Sequence, residues 1–263
     1  MQALNLLPAD VAAQVHTVFS DIDDTITTDG ALTPRAYAAM DQLRQAGLRV
    51  ILITGRPAGW CDHIARMWPV DAVIGENGAF YFYYDPAARK LQKHFLYDEP
   101  TRIANRARMA AVRDHILASV PGCALASDQL YREADLAIDF CEDVPALGLA
   151  GAERIAALMR EAGMTAKISS IHVNGWFGDY DKLGMTRTFA RERLGIELEP
   201  SGEGFAFAGD SPNDAPMFGF FCNSVGVANV RRYEALLAAK PAFITHGEAG
   251  TGFAELVTRL LEG

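Results

Sequence analysis

The chain has 263 residues, 50% of them hydrophobic and 22% charged, which at ~150 residues per domain allows one large or two modest domains with a substantial core. Its 33 Asp and Glu against 24 Lys and Arg leave a formal net charge of -9, the opposite of a surface that neutralises a phosphate backbone, so nucleic acid is not an expected partner. The four cysteines, Cys61, Cys123, Cys141 and Cys222, form no CxxC pair and no Cys/His cluster at zinc spacing, which argues against structural zinc and a disulfide framework and fits a reducing compartment. The N-terminus, MQALNLLPADVAAQV, lacks the charged start and long apolar run of a signal peptide, and no stretch approaches the ~18 apolar residues of a membrane helix. The expectation is a soluble cytoplasmic protein with no membrane partner.

His16 to Ser20 (HTVFS) reads as a short strand that ends directly at Asp21-Ile22-Asp23-Asp24-Thr25, so a carboxylate cluster sits where a strand finishes. Thr33 and Pro34 supply a cap and a first helical residue, Tyr37, Met40 and Leu43 recur at helical spacing, and Gly47 stops the helix. Leu48 to Thr54 (LRVILIT) is a nearly continuous apolar strand of the kind buried on both faces of a parallel sheet. A helix over Pro57 to Trp68, in which Trp60, Met67 and Trp68 read as core packing, and a strand over Ala72 to Gly75 follow. Asn77-Gly78 then turns the chain into the aromatic strand Ala79 to Tyr84.

From about Asp85 to Asp179 the order changes to a long helix (Pro100 to Val120), strands near Ala124 to Ser127 and Leu136 to Phe140, a helix (Ala152 to Ala162), and strands Thr165 to Ile168 and Ile171 to Trp176. Alternation resumes with a helix from about Leu183 to Leu194, the strand Phe205 to Ala208, a second acidic turn at Gly209-Asp210-Ser211-Pro212-Asn213-Asp214, and apolar strands at Ser224 to Val227 and Ala242 to Thr245. The expected architecture is α/β: residues 1–84 and 180–263 form one doubly wound, Rossmann-like parallel sheet, interrupted by an α+β cap over 85–179.

In open parallel sheets ligands bind outside the carboxyl ends of the strands, and four such ends here carry Asp21/Asp23, Thr54-Gly55-Arg56, Glu76-Asn77 and Asp210/Asn213/Asp214. Bringing Asp21, Asp23, Asp24, Asp210 and Asp214 into one crevice creates a repulsion that demands a cation. Hard oxygen donors without His or Cys point to Mg²⁺.

Taken in order, DIDDT at 21–25, LITGR at 52–56, Lys182 before a helix and GDSPND at 209–214 resemble the four motifs of the haloacid dehalogenase superfamily of aspartyl phosphohydrolases. DIDDT alone would be no more than an acidic turn that caps a helix. The inserted module is similar to the C2B cap of the Cof-like and sucrose-phosphatase-like members, as is GENGA at 75–79. The resemblance implies Asp21 as nucleophile, Asp23 as general acid and base, Lys182 and Thr54 as groups that steady the phosphoryl oxygens, and Mg²⁺ held by Asp21, Asp210 and the Asp23 carbonyl, with Asp214 acting directly or through water. Asp24 stands where the family more commonly has Gly, a change that Asp tolerates because it adopts left-handed backbone readily. Gly55, Arg56, Asn77 and Asn213 would face substrate; Arg56 reaches phosphate or pairs with a carboxylate, and both stay open.

In the cap, the 170–176 segment alternates, so Ile171 and Val173 would face the cap helices while His172, Asn174 and Trp176 face the other way. The resemblance turns that second face toward the catalytic crevice, making these three candidate substrate contacts, with Arg132 and Asp139 as weaker ones. The implied function is Mg²⁺-dependent hydrolysis of a small phosphorylated metabolite, a sugar or polyol phosphate by similarity to sucrose-phosphate and mannosyl-3-phosphoglycerate phosphatases, in a monomer or homodimer. The alternatives are a phosphomannomutase-like mutase and a non-enzymatic phospho-aspartate or Mg²⁺-binding regulatory module, which needs neither Asp23 nor a large cap.

Overall fold

The computed structural model describes residues 1–169, 171–200 and 202–262. In chain order the first part carries β1 (Gln2–Ala3), α1 (Ala9–Gln14), β2 (Thr17–Asp21), the small hairpin β3 (Thr27–Thr28) and β4 (Ala31–Leu32), α2 (Pro34–Gln45), β5 (Arg49–Ile53), α3 (Ala58–Met67), β6 (Ala72–Gly75), β7 (Phe80–Asp85) and β8 (Lys90–Phe95). The middle carries α4 (Glu99–Ser119), β9 (Ala124–Leu125), β10 (Leu136–Asp139), α5 (Gly148–Glu161), β11 (Thr165–Ile168) and β12 (His172–Trp176). The last part carries α6 (Lys182–Phe189), β13 (Phe205–Gly209), α7 (Ala215–Phe220), β14 (Asn223–Gly226), β15 (Phe243–Ile244) and α8 (Ala249–Leu261).

Among the described residues nine strands form the main sheet in the order β1-β15-β14-β13-β2-β5-β6-β7-β8, parallel from β1 to β6 and antiparallel for the last two. Its central strands are apolar throughout because both faces are covered. Val18, Val50, Leu52 and Val73 pack under α2 and α8, while Phe19, Ile51, Ile53 and Ile74 alternate with them to pack under α6 and α7. Each such fully buried side chain contributes about 1.5–3 kcal/mol. Thr33 caps α2 by accepting from Ala36 N, as its position before Pro34 leads one to expect.

The cap is a four-stranded antiparallel sheet, β11-β12-β10-β9, whose inner face packs Leu136, Ile138 and Val173 against Met109, Val112 and Ile116 of α4 and Ile155 and Met159 of α5. It joins the core through residues 96–98 and 177–181. Lys90–Phe95, assigned to the cap from sequence, is instead the edge strand β8 of the main sheet, paired along its length with β7. Its lysines and Gln92 suit an edge, where one side of the strand meets water, and so hide the periodicity of a core strand. Trp60 and Met67 are 43% and 63% exposed, against the expectation of core packing, because α3 buries its small face of Ala58, Cys61, Ile64 and Ala65. Among the described residues no helix is long and apolar enough to cross a membrane.

Candidate active site

Asp21 is the last residue of β2, so the strand aims its carboxylate out of the sheet's C-terminal edge. Lys182 opens α6, with Asp181 as N-cap accepting from Gly184 N, and reaches back to place Nζ 2.6 Å from Asp21 Oδ1 and 2.9 Å from Asp214 Oδ1. The turn through Glu76-Asn77-Gly78 packs against the start of α6 so closely that a Cβ at Gly78 would collide with the Asp181 carbonyl, and Gly78 also needs its φ of 109°.

Asp214 closes the GDSPND turn, its Oδ2 accepting from the Asp210 N–H at 3.1 Å and the Ser211 N–H at 3.4 Å. Asp210 accepts from the Thr25 hydroxyl at 3.3 Å and the Asn229 amide at 3.2 Å. Oxygens of Asp21, Asp210 and Asp214 lie within 4.8 Å of one another, all three residues buried. Burial pushes the Asp21 carboxyl up to about 8, with Lys182 opposing and Asp214 and Asp23 adding to the rise. Burial, then Asp21 and Asp214, raise Asp210 well above the usual range. Three crowded buried carboxylates beside a single ammonium are a hard, anionic donor set that fits a divalent cation such as Mg²⁺. Asp214 already accepts from two amides and Lys182, which leaves Asp21 and Asp210 as the more open donors.

Asp23 is turned from that cluster, toward Arg56 Nε at 2.9 Å and the Thr54 hydroxyl at 3.4 Å. Of the two roles open to Arg56, carboxylate pairing is the one seen: it also reaches Glu142 of the cap at 3.6 Å and lies 4.5 Å from the Trp60 ring centroid. Asp24 has φ 57°, the left-handed conformation expected where a glycine is commoner, and its carbonyl accepts from Asn229. Asn77, at the same φ, lines the cavity beside Gly55. Asn213 is there too, its Oδ1 accepting from Ser211 Oγ at 2.6 Å.

Core and cap enclose a cavity of 520 Å³ over these groups, and His172 and Asn174 line it from β12 while Ile168 and Ile171 line it nearby. Ser170, within the same predicted segment, lies outside the described residues. Ile171 lines the cavity rather than the interior of the cap, whereas Val173 takes the inward place expected of both. Trp176 does not line the cavity: at the end of β12, where the chain returns to the core, its ring is buried and stacks on Tyr180 at 5.2 Å. Asp139 is buried in a turn, accepting from the Cys141, Glu142 and Asp143 N–H groups.

Arg132 is a buried bracket: it pairs with Asp128 through Nε and with Asp135 through a terminal nitrogen, and donates to the Gly55 carbonyl at 3.0 Å. Glu76, placed at a strand end by the sequence but given no role there, is fully buried and accepts from Ala58 N of the core and from Glu133, Ala134 and Asp135 N of the cap. Sequence reasoning passed over Glu142, Asp135 and Asn229.

Residues 18–102 match the family model for haloacid dehalogenase-like hydrolases. Among curated proteins none matches the chain. Among solved structures, a Thermoplasma acidophilum protein aligns with TM-score 0.70 and 17% identity over 94% of this chain and 98% of its own. The sucrose-phosphatase of Synechocystis aligns with TM-score 0.63 and 16% identity over 94% and 98%. A member of the haloacid dehalogenase phosphatases from Bacteroides thetaiotaomicron aligns with TM-score 0.62 and 16% identity over 97% and 98%. The match to the haloacid dehalogenase-like hydrolase model thus covers the first part of the core, and across its length the chain shares the fold of these solved structures.

Proposed function

We propose that the protein is a Mg²⁺-dependent phosphatase that hydrolyses a small phosphomonoester through a phosphorylated Asp21. The observation that carries this reading is the Asp21 carboxylate at the tip of β2, fixed by Lys182 and facing a cavity shared by core and cap. A carboxylate attacks phosphorus without a base to activate it, forming an acyl phosphate as the bond to the alcohol oxygen breaks. Asp23 gives that oxygen a proton, then takes one from the water that cleaves the acyl phosphate and frees Asp21. Arg56 and Thr54 orient the Asp23 carboxyl for both transfers. Lys182 offsets the charge that Asp21 and the phosphoryl oxygens share.

Asp21 and Asp210, with the Asp23 carbonyl, would hold the cation, and Asp214 would act directly or through water. When bound, it supplies the positive charge that lets an anionic phosphate approach an anionic nucleophile.

The test is phosphate release by purified protein with Mg²⁺ across a panel of phosphomonoesters, on which the sugar and polyol phosphates expected from the resemblance belong. Activity is expected to disappear with EDTA and in a folded Asp21→Asn variant, whose amide cannot form the acyl phosphate. An Asn variant with near-native turnover would sink the assignment.

A further inference from the structure

The cavity has two unlike parts. The catalytic groups line one part of it, and Phe140, Leu149, Ile168 and Ile171 of the cap and Leu236 of the core line another, Leu149 and Leu236 at its exposed edge. Of the polar side chains of the cap that line it, Glu153 and Lys167 are exposed, while Arg132 and Asn174 are engaged with buried partners. Arg132 binds Asp128, Asp135 and the Gly55 carbonyl, and the Asn174 amide donates to Asp135 at 2.9 Å. His172 Nε2 lies 2.8 Å from Glu142, whose other carboxylate oxygen meets Arg56. A substrate hydroxyl reaching Arg132 or Asn174 would have to displace one of these buried pairs, an exchange of one hydrogen bond for another with little net gain, whereas His172 Nε2 makes no hydrogen bond.

The apolar wall is in the opposite state. Leu149, in the first turn of α5, and Leu236, in the 228–236 segment of the core, are 66% and 67% exposed and face the same opening from opposite domains. Apolar surface left in water on both lips of a cavity over a reactive centre gains free energy only when something apolar covers it.

Resting on the phosphatase reading above, we infer that the alcohol half of the substrate carries an apolar body, an arylalkyl or branched alkyl group, rather than a run of hydroxyls. The phosphate meets the catalytic groups, and the apolar body lies between Leu149, Ile171 and Leu236. Hydrolysis breaks the bond from phosphorus to the ester oxygen, and the alcohol leaves with the proton from Asp23.

The experiment compares 2-phenylethyl phosphate with glycerol 3-phosphate and glucose 6-phosphate, all esters of primary alcohols and so alike in leaving group. The arylalkyl ester is expected to have kcat/KM at least about 10-fold above glucose 6-phosphate. In a Leu149→Ser, Leu236→Ser double variant that advantage should shrink by about 10-fold, chiefly through KM for the arylalkyl ester. Both side chains are exposed, and an unchanged thermal melt verifies folding. Hydrolysis of all three esters with glucose 6-phosphate equal or preferred, or an advantage the double variant leaves intact, overturns the apolar substrate and keeps the phosphatase. No hydrolysis of any ester overturns both.

Discussion

Lys182 bridges two buried carboxylates, Asp21 and Asp214. Its ammonium is held charged, above its ordinary range, by Asp21 and Asp214 against the opposing pull of burial. Lys182→Met therefore strands two buried acids, and the expected cost is about 3 kcal/mol in a urea melt, together with a drop in turnover of about 10²–10³. A variant within 0.5 kcal/mol of the wild type that retains its kcat would show that the ammonium is dispensable. Lys182 and the acids at the strand ends were legible in the sequence because their chemistry is carried by residue type and by a position where a strand stops. The pairings of Arg56 with Glu142 and of Asn174 with Asp135 were not, since each joins segments that only tertiary structure brings together.

At the scale of elements, the turn between β6 and β7 does more than reverse the chain. Asn77-Gly78 marked it as a turn, and it is one, with Glu76 and Asn77 at φ 44° and 57°. What the sequence could not disclose is that the Glu76 carboxylate accepts four backbone N–H groups, three of them from residues 133–135 of the cap, for a Glu is ordinarily solvated. Burial and Asp135 raise this carboxyl, while Arg132 and the amide donors pull it back. Glu76→Gln keeps the shape but sets an NH₂ against N–H donors, leaving at least one buried donor unpaired at a cost of about 1–3 kcal/mol. The amides of Ala134 and Asp135 should then exchange with deuterium faster while those of β2 and β5 keep their protection. Equal exchange at Ala134 and Asp135 in both proteins would mean that Glu76 does not anchor the cap. The edge hairpin is the opposite case: β8 escaped notice because an edge strand is built to look unlike a core strand.

For the whole molecule, a net charge of -9 and a buried carboxylate cluster make stability depend on what neutralises the cluster. With its carboxyl raised to about 8, folded Asp21 holds a proton that the unfolded chain, ordinary at about 3.9, has already released. Between those values the native state binds more protons than the unfolded state, so unfolding free energy falls as pH rises through the window and the contribution is lost above about 8. Asp210 shifts in the same direction and adds to the slope. A divalent cation replaces the proton. Saturating Mg²⁺ should flatten this fall and raise the melting temperature most at high pH, with about 2.7 kcal/mol of stabilisation at a hundredfold excess over Kd. Urea melts from pH 5 to 9, in EDTA and in Mg²⁺, read both effects, and Asp21→Asn removes its share of the slope while leaving the surface carboxylates to titrate as before. If the EDTA slope is identical in wild type and Asp21→Asn, and Mg²⁺ moves neither melt, the cluster is not where the cation binds.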